Sequence, residues 1–375
     1  MVVFNDAVNF QDVRHSPRLD AAQSVQVIEK AKLFRSSLLA WYRTAKRDLP
    51  WRRTADPYAI WISEIMLQQT RVAAAVRYFE RFLARFPDIR SLADAPEQDL
   101  LAAWAGLGYY NRARNMQRAA RQMNGTFPSV WDEIRALPGI GDYTAAAVGS
   151  IAFGLPHAAV DGNVVRVLSR LTNEGGDVGS AAVRKRLASV ADQLLDRSMP
   201  GVFNEAMMEL GATVCLPKQP QCLLCPVSSL CEGRHAGRQN ELPVKLRRAE
   251  IFQFDRTVFV IEHQDRILLW QRSAESKKLA GFWELPESEH LQHDPDAEHC
   301  GEFRHSITNH EYKFTVLAWK GYGVLPSCKN VVKAEWIACN RLADMALSTT
   351  ARKAIRVVQK KRGRNRAGEF GGLRY

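Results

Sequence analysis

The sequence predicts a mainly α fold, with an all-helical body joined to a smaller α+β domain. Three observations carry this. Between Glu29 and Cys231 apolar residues recur at the spacing of amphipathic helices, as in Trp61, Ile65, Val72, Val76 and Phe79. Beyond Arg248 the texture changes to short runs rich in β-forming residues, 257–261 and 266–271, flanking a His263-Gln264-Asp265 turn. Between the two textures sits a tight cluster of four cysteines, Cys215, Cys222, Cys225 and Cys231.

Taken in order, residues 1–28 are polar and aperiodic and are expected to be disordered. Helical runs follow over 58–82, 100–104, 144–153, 164–171, 183–195 and 203–210, with Pro50, Pro57, Pro87, Pro96, Pro128 and Pro138 as punctuation between them. They define one helical domain over 29–233. A basic stretch containing Gly, Asn and Pro reads as a linker over 234–250. The α+β domain is expected over 251–350, with further strands at 314–320 and 334–337 and a closing helix from 348 to 359. That helix runs into a basic tail, 351–375.

The chain's 375 residues carry a net charge of +12. The tail from Ala351 holds nine Lys or Arg against Glu369, so it supplies +8 of that and the body is only mildly basic. Charge alone is therefore weak evidence for a polyanionic partner. The first thirty residues contain Asp6, Asp12 and Asp20 and lack the charged start and apolar core of a signal peptide. The longest uncharged run, 143–160, is broken by Gly154, Pro156 and His157 and falls short of the roughly 20 apolar residues that span a bilayer. A soluble, cytoplasmic protein with no membrane contact is the expectation.

The four clustered cysteines are spaced C-x6-C-x2-C-x5-C within 17 residues. Thiolates so placed can wrap one soft metal centre, zinc or iron–sulfur. Structural zinc sites usually present two short hooks, and only Cys222 and Cys225 make one here. The long first spacing favours a [4Fe–4S] cluster. Cys300, Cys328 and Cys339 are scattered and need no such explanation.

Leu137-Pro138-Gly139-Ile140-Gly141 joins two helical runs, and Asp142-Tyr143-Thr144 opens the second. The glycines permit a tight turn, and its amides, next to a helix N-terminus, suit a phosphate. A plain helix–helix connection would look the same. With Leu49-Pro50-Trp51-Arg52, residues 61–70 (WISEIMLQQT), Gly106-Leu107-Gly108-Tyr109-Tyr110 and Val160-Asp161-Gly162-Asn163-Val164, however, the chain resembles the endonuclease III superfamily, and within it the MutY-type adenine DNA glycosylases. The match is strong over residues 40–231 and looser beyond. It implies a helix-hairpin-helix glycosylase fold with a [4Fe–4S] loop, followed by a Nudix-like domain.

Glu64 lies among Trp61, Ile62, Ile65, Met66 and Leu67, a setting that disfavours its charge and suits a general acid. A solvent-facing glutamate on an amphipathic helix is the plainer alternative. Asp161 before Gly162 reads equally as a helix N-cap. The resemblance implies that Glu64 protonates adenine and helps to position water, while Asp161 stabilises the cationic sugar. Relatives that also cut the backbone have a lysine at the position of Tyr143; a tyrosine cannot form a Schiff base, so a monofunctional enzyme is expected. The resemblance further implies that Gln69 and Tyr109 wedge into the duplex, and that Arg47, Leu67 and Glu205, with Trp51, meet the extruded base.

Gly281-Phe282-Trp283-Glu284-Leu285-Pro286 resembles the Nudix-like domain that reads 8-oxoguanine in this family. No Nudix box lies between Pro286 and Cys300, so pyrophosphohydrolase activity is not expected. Where the family often has Phe-Ser-His, this chain has Ile307, Thr308, Asn309 and His310, which would make Thr308 the residue that meets the lesion. The implied partner is double-stranded DNA containing A·8-oxoG or A·G mispairs, with the protein acting as a monomer in base excision repair. Two alternatives are a pyrimidine-directed relative, disfavoured by Tyr143, and a non-catalytic DNA-binding module with structural zinc.

Overall fold

The computed structural model describes residues 21–68, 70, 72–246, 250–273, 275, 276, 279–291, 296–307, 309–321 and 333–363. In chain order the helices are α1 (Ala21–Ala45), α2 (Pro57–Leu67), α3 (Val72–Arg85), α4 (Ile89–Asp94), α5 (Glu97–Trp104), α6 (Asn111–Met123), α7 (Trp131–Ala136), α8 (Asp142–Phe153), α9 (Gly162–Leu171), α10 (Ala181–Leu194), α11 (Pro200–Thr213), α12 (Glu232–His235) and, after the sheet, α13 (Thr349–Lys361). The strands are β1 (Phe252–His263), β2 (Arg266–Gln271), β3 (Trp283–Glu284), β4 (Glu298–Ile307), β5 (His310–Lys320) and β6 (Lys333–Ala338). No described helix is long and apolar enough to cross a membrane.

The chain divides into two compact units, one running to Val76 and resuming over Thr126–Arg248, the other made of Arg77–Gly125 and Ala249–Tyr375. In the first, α1, α9, α10 and α11 enclose a core that includes Phe34, Leu38, Leu168, Leu187, Phe203 and Leu210. Asp56 caps α2 through Tyr58 and Ala59, and Pro57 occupies its first turn, where a missing N–H costs nothing. Nine consecutive residues of α2, from Tyr58 to Met66, are buried, Glu64 among them. Gly211 on α11 permits a close crossing with α9, because a Cβ there would stand 2.7 Å from that of Asn163. This approach sets the start of α9 beside α11.

In the second unit the sheet order is β3-β2-β1-β5-β4, with β6 paired to β2. β1 and β5 are parallel in continuous register from Phe252↔His310 to Glu262↔Lys320, and the other pairs are antiparallel. α13 contributes Ala354, Ile355 and Val358 to the core on one face, while Phe259, Ile261 and Leu268 pack on the other. Phe282 packs on Tyr110 with ring centroids 4.0 Å apart, Gln98 Nε2 donates to the Gly281 carbonyl at 3.2 Å, and Arg114 donates to the Ala280 carbonyl. These interactions join residues 77–125 to the sheet, a division that cuts across the single helical domain expected over 29–233.

Other boundaries differ too. α1 begins at Ala21, inside the stretch expected to be disordered over 1–28; residues 1–20 lie outside the described residues. The expected linker is tied down over much of its length. Arg170 Nε donates to the Leu242 carbonyl at 3.0 Å, Val178 N to that of Val244 at 2.9 Å, and Leu242 is buried. The helical run 58–82 is split after Leu67. Strand β4 falls outside the expected strands, because it is largely exposed, holds several charged and polar residues in place of a run of β-branched or apolar ones, and has a register shift in its pairing between His299 and Gly301. The closing helix and the turn before β2 stand where expected, Gln264 adopting φ 53° there.

Candidate active site

A cavity of about 880 Å³ opens in the helical unit between α2, α8, α9 and α11, and Trp51, Glu64, Leu67, Tyr143, Asp161 and Glu205 are among the residues lining it. The hairpin between α7 and α8 contributes Gly139 and Gly141 to the same lining. Gly139 has φ 79°, a conformation that favours glycine, and a Cβ at Gly141 would meet nothing within 4 Å, so this turn faces open space.

Glu64 is only 4% exposed. The Tyr143 hydroxyl donates to its Oε2 at 2.5 Å and lies 3.3 Å from Met208 Sδ. Burial pushes the Glu64 pKa up to about 7; the Tyr143 hydrogen bond opposes this, the Asp161 and Glu205 carboxylates add to it, and Arg52 opposes it. Burial, with Glu64 and Asp161 nearby, holds the Tyr143 phenol well above its ordinary range, so it serves as a donor. Asp161 is indeed the N-cap of α9, its Oδ1 accepting from Val164 N at 2.7 Å, and it also borders the cavity. Capping and facing the site are thus one placement.

Behind Asp161 a chain of hydrogen bonds leads to the cysteine loop. Asn163 Nδ2 donates to Asp161 Oδ2 at 2.8 Å, and Arg166 bonds both Asn163 Oδ1 at 2.9 Å and the Cys215 carbonyl at 2.8 Å. Cys215, Cys222, Cys225 and Cys231 ring a second, smaller cavity. Burial raises the Cys225 thiol to about 12 and the Cys231 thiol in the same direction. Arg170 is 2% exposed; its guanidinium reaches Cys215 Sγ at 3.2 Å and the carbonyls of Leu216, Pro217 and Leu242. A buried cation whose bonds go to carbonyls and a sulfur calls for a compensating negative charge, which thiolates holding a metal cluster would supply. Among the described residues no three His, Cys, Asp or Glu side chains converge closely enough for a single metal ion.

Arg47 and Glu205 line the cavity, and each is held by neighbouring side chains. Arg47 Nε and Nη2 each donate to Glu209 at 2.8 Å, Arg52 Nη2 reaches the same carboxylate at 2.8 Å, and Tyr42 Oη donates to Glu205 Oε2 at 3.2 Å. Arg52, Glu209, Asn163, Arg166 and Arg170 were missed as site residues; Arg52 and Asn163 sit inside recognised motifs, while nothing near Glu209 in sequence marks it. Tyr109 belongs to the other unit, in a turn at φ 48°, 47% exposed, with the Arg112 guanidinium 5.2 Å from its ring centre. Gln69 and Thr308 lie outside the described residues.

Residues 62–193 match the HhH-GPD superfamily of base excision DNA repair proteins. The human protein named adenine DNA glycosylase is 34% identical over 410 residues, covering 88% of this chain and 75% of its own length. The Arabidopsis thaliana adenine DNA glycosylase is 37% identical over 295 residues, covering 67% of this chain and 47% of its own. A thermostable thymine-DNA glycosylase superposes with a TM-score of 0.50 at 31% identity, over 56% of this chain and 98% of that one. With identity of this order sustained over three quarters of the human enzyme, the chain belongs to the adenine DNA glycosylases of the base excision repair superfamily.

Proposed function

We propose that this glycosylase hydrolyses the N-glycosidic bond of adenine mispaired with 8-oxoguanine or guanine and leaves an intact abasic strand. The observation that carries the reading is the buried Glu64, poised near neutrality beneath the Tyr143 hydroxyl and beside Asp161. With Tyr143 occupying Oε2, the acidic proton belongs on Oε1. Glu64 gives it to the departing base as the C1′–N bond breaks and its electron pair leaves with adenine. The Asp161 carboxylate stabilises the cationic sugar. Water then adds to C1′ and returns a proton to Glu64. Tyr143 stands where a Schiff-base enzyme of the superfamily would carry a lysine, and among the described residues lining the cavity there is none, which supports hydrolysis over a Schiff-base route.

A cavity of about 880 Å³ is ample for an extruded nucleobase. Trp51 and Leu67 offer apolar walls, Arg47 and Glu205 polar partners, and the glycine hairpin amides a place for a phosphate. In the family setting the four cysteines would hold a [4Fe–4S] cluster, with Arg170 beside it. Such a group would crosslink the loop to the helical unit and so brace the path from Cys215 to Asp161. Gln69 and Tyr109 are the proposed wedges, and the Nudix-like sheet domain, through Thr308 and its sequence neighbours, is the proposed 8-oxoguanine reader. The enzyme is proposed to act as a monomer.

Incubation with 8-oxoG·A, G·A and C·A duplexes, followed by alkali, tests the reading. Adenine release with strand scission only after alkali, and no borohydride-trapped adduct, is expected. A trapped adduct would overturn monofunctionality. Anaerobically purified protein should contain about four irons per chain; stoichiometric zinc without iron would remove the cluster.

A further inference from the structure

The Glu209 side chain is wholly buried, at the wall of the cavity that also holds Glu64 and Tyr143. Its Oε1 accepts from Arg47 Nε at 2.8 Å and from the Arg47 amide at 3.0 Å; its Oε2 accepts from Arg47 Nη2 and Arg52 Nη2, both at 2.8 Å. Arg52 Nη1 in turn donates to the Arg47 carbonyl at 3.1 Å. One carboxylate therefore fixes two guanidinium groups and the backbone between them in a single geometry.

We propose that Glu209 is a positioning residue that clamps Arg47 and Arg52 into one fork at the cavity wall and withholds the Arg52 charge from Glu64. The role rests on Glu64 being the proton donor. Burial alone would raise the Glu209 pKa, but hydrogen bonds from Arg47 and Arg52 outweigh it and bring it down to about 2, so the clamp is charged throughout the working range. The charged and titratable groups lining the cavity with Glu64 are Asp142 and Tyr143 from α8, Asp161 at the N-cap of α9 and Arg166 within it, Glu205 and Glu209 from α11, and Arg47 and Arg52 from the segment before α2. Of these the Tyr143 hydrogen bond and, less strongly, the Arg52 charge oppose protonation of Glu64, and Arg52 Nε already stands 3.8 Å from Glu205 Oε1. With its Glu209 bonds cut, the Arg52 guanidinium would sit uncompensated beside both carboxylates and favour their ionised forms.

The test is the pH dependence of single-turnover adenine release, which should fall as pH rises through the Glu64 pKa. Glu209→Gln keeps the volume but removes the charge. It should move the midpoint down by about one pH unit, a roughly tenfold loss of rate above neutrality and a much smaller loss on the acid plateau. Glu209→Asp should keep the midpoint near wild type. Arg52→Met should move it up, and should return it toward wild type in the Glu209→Gln background. A merely structural role scales the rate at every pH without moving the midpoint, and that result would overturn the proposal. If Glu209→Gln does not fold, an unmoved midpoint in Arg52→Met overturns it as well. A wild-type profile with no limb between pH 6 and 8.5 would sink both Glu64 as acid and this role for Glu209. A limb that Glu209→Gln leaves in place counts against Glu209 alone.

Discussion

At the scale of the residue, Glu64, the proposed acid, is a carboxyl that folding buries at a cost. A carboxyl raised from its ordinary 4.5 to about 7 on folding destabilises the folded state by about 3 kcal/mol once fully ionised. The folded protein binds the proton more tightly, so this cost is absent below about pH 4.5, grows as pH rises, and is complete above 7. Glu64→Gln should therefore stabilise the protein at pH 8 by up to about 3 kcal/mol, and much less at pH 5, while abolishing adenine release. Urea unfolding at the two pH values, beside single-turnover assays, reads both effects. Near-normal excision by the variant would remove Glu64 from the chemistry; equal stabilisation at both pH values would mean that its carboxyl is not the one that titrates.

At the scale of the element, helix ends place the groups proposed to react. Asp161 caps α9 and faces the cavity, and Tyr143 stands in the first turn of α8 behind the Gly139 turn. The observed capping by Asp161 and its proposed part in the chemistry are separable. Asp161→Asn retains an oxygen for the Val164 amide and should keep the melting temperature, yet lose most activity because the carboxylate charge is gone. Asp161→Ala should lose activity and also about 1 kcal/mol of stability. If Asp161→Asn binds duplex DNA much more weakly, or unfolds early, the residue is chiefly a cap. Local signals of this kind made much of the site legible: Glu64, Tyr143, Asp161 and the cysteines each sit in a short motif, and the fold brings the first three to one cavity. Arg52 and Glu209 could not be paired from the sequence, because 157 positions separate them and only the packing of α11 joins them. The sheet was half legible for a similar reason. β1, β2, β5 and β6 contain buried hydrophobic runs or β-rich stretches, whereas β4 is mostly exposed and lacks that pattern.

At the scale of the whole molecule, the division into units changes how lesion reading should be tested. Deleting everything after residue 250 would strip Phe282 from Tyr110 and leave the α5–α6 helices without the Ala280 and Gly281 carbonyls that Arg114 and Gln98 bond. A weaker mispair preference in such a truncation would not be specific to reading. The basic tail poses the same difficulty if cut at Lys360, because Lys361 pairs with Glu298 at 2.8 Å and Arg362 with Glu262. Smaller changes separate the roles. Ile307 is 44% exposed at the end of β4, so Ile307→Ala should cost little stability. It should narrow the rate ratio of 8-oxoG·A over G·A several-fold, with the salt dependence of DNA binding unchanged. Removing residues 364–375, which carry Arg364, Arg366 and Arg374 against Glu369, should do the reverse. The slope of log K against log salt should become shallower by about one unit for each phosphate that the tail no longer neutralises, and the mispair preference should hold, because phosphate binding carries little sequence information. If Ile307→Ala keeps the full preference while the shortened chain does not, the lesion is read by the tail and Ile307 at the end of β4 takes no part in it.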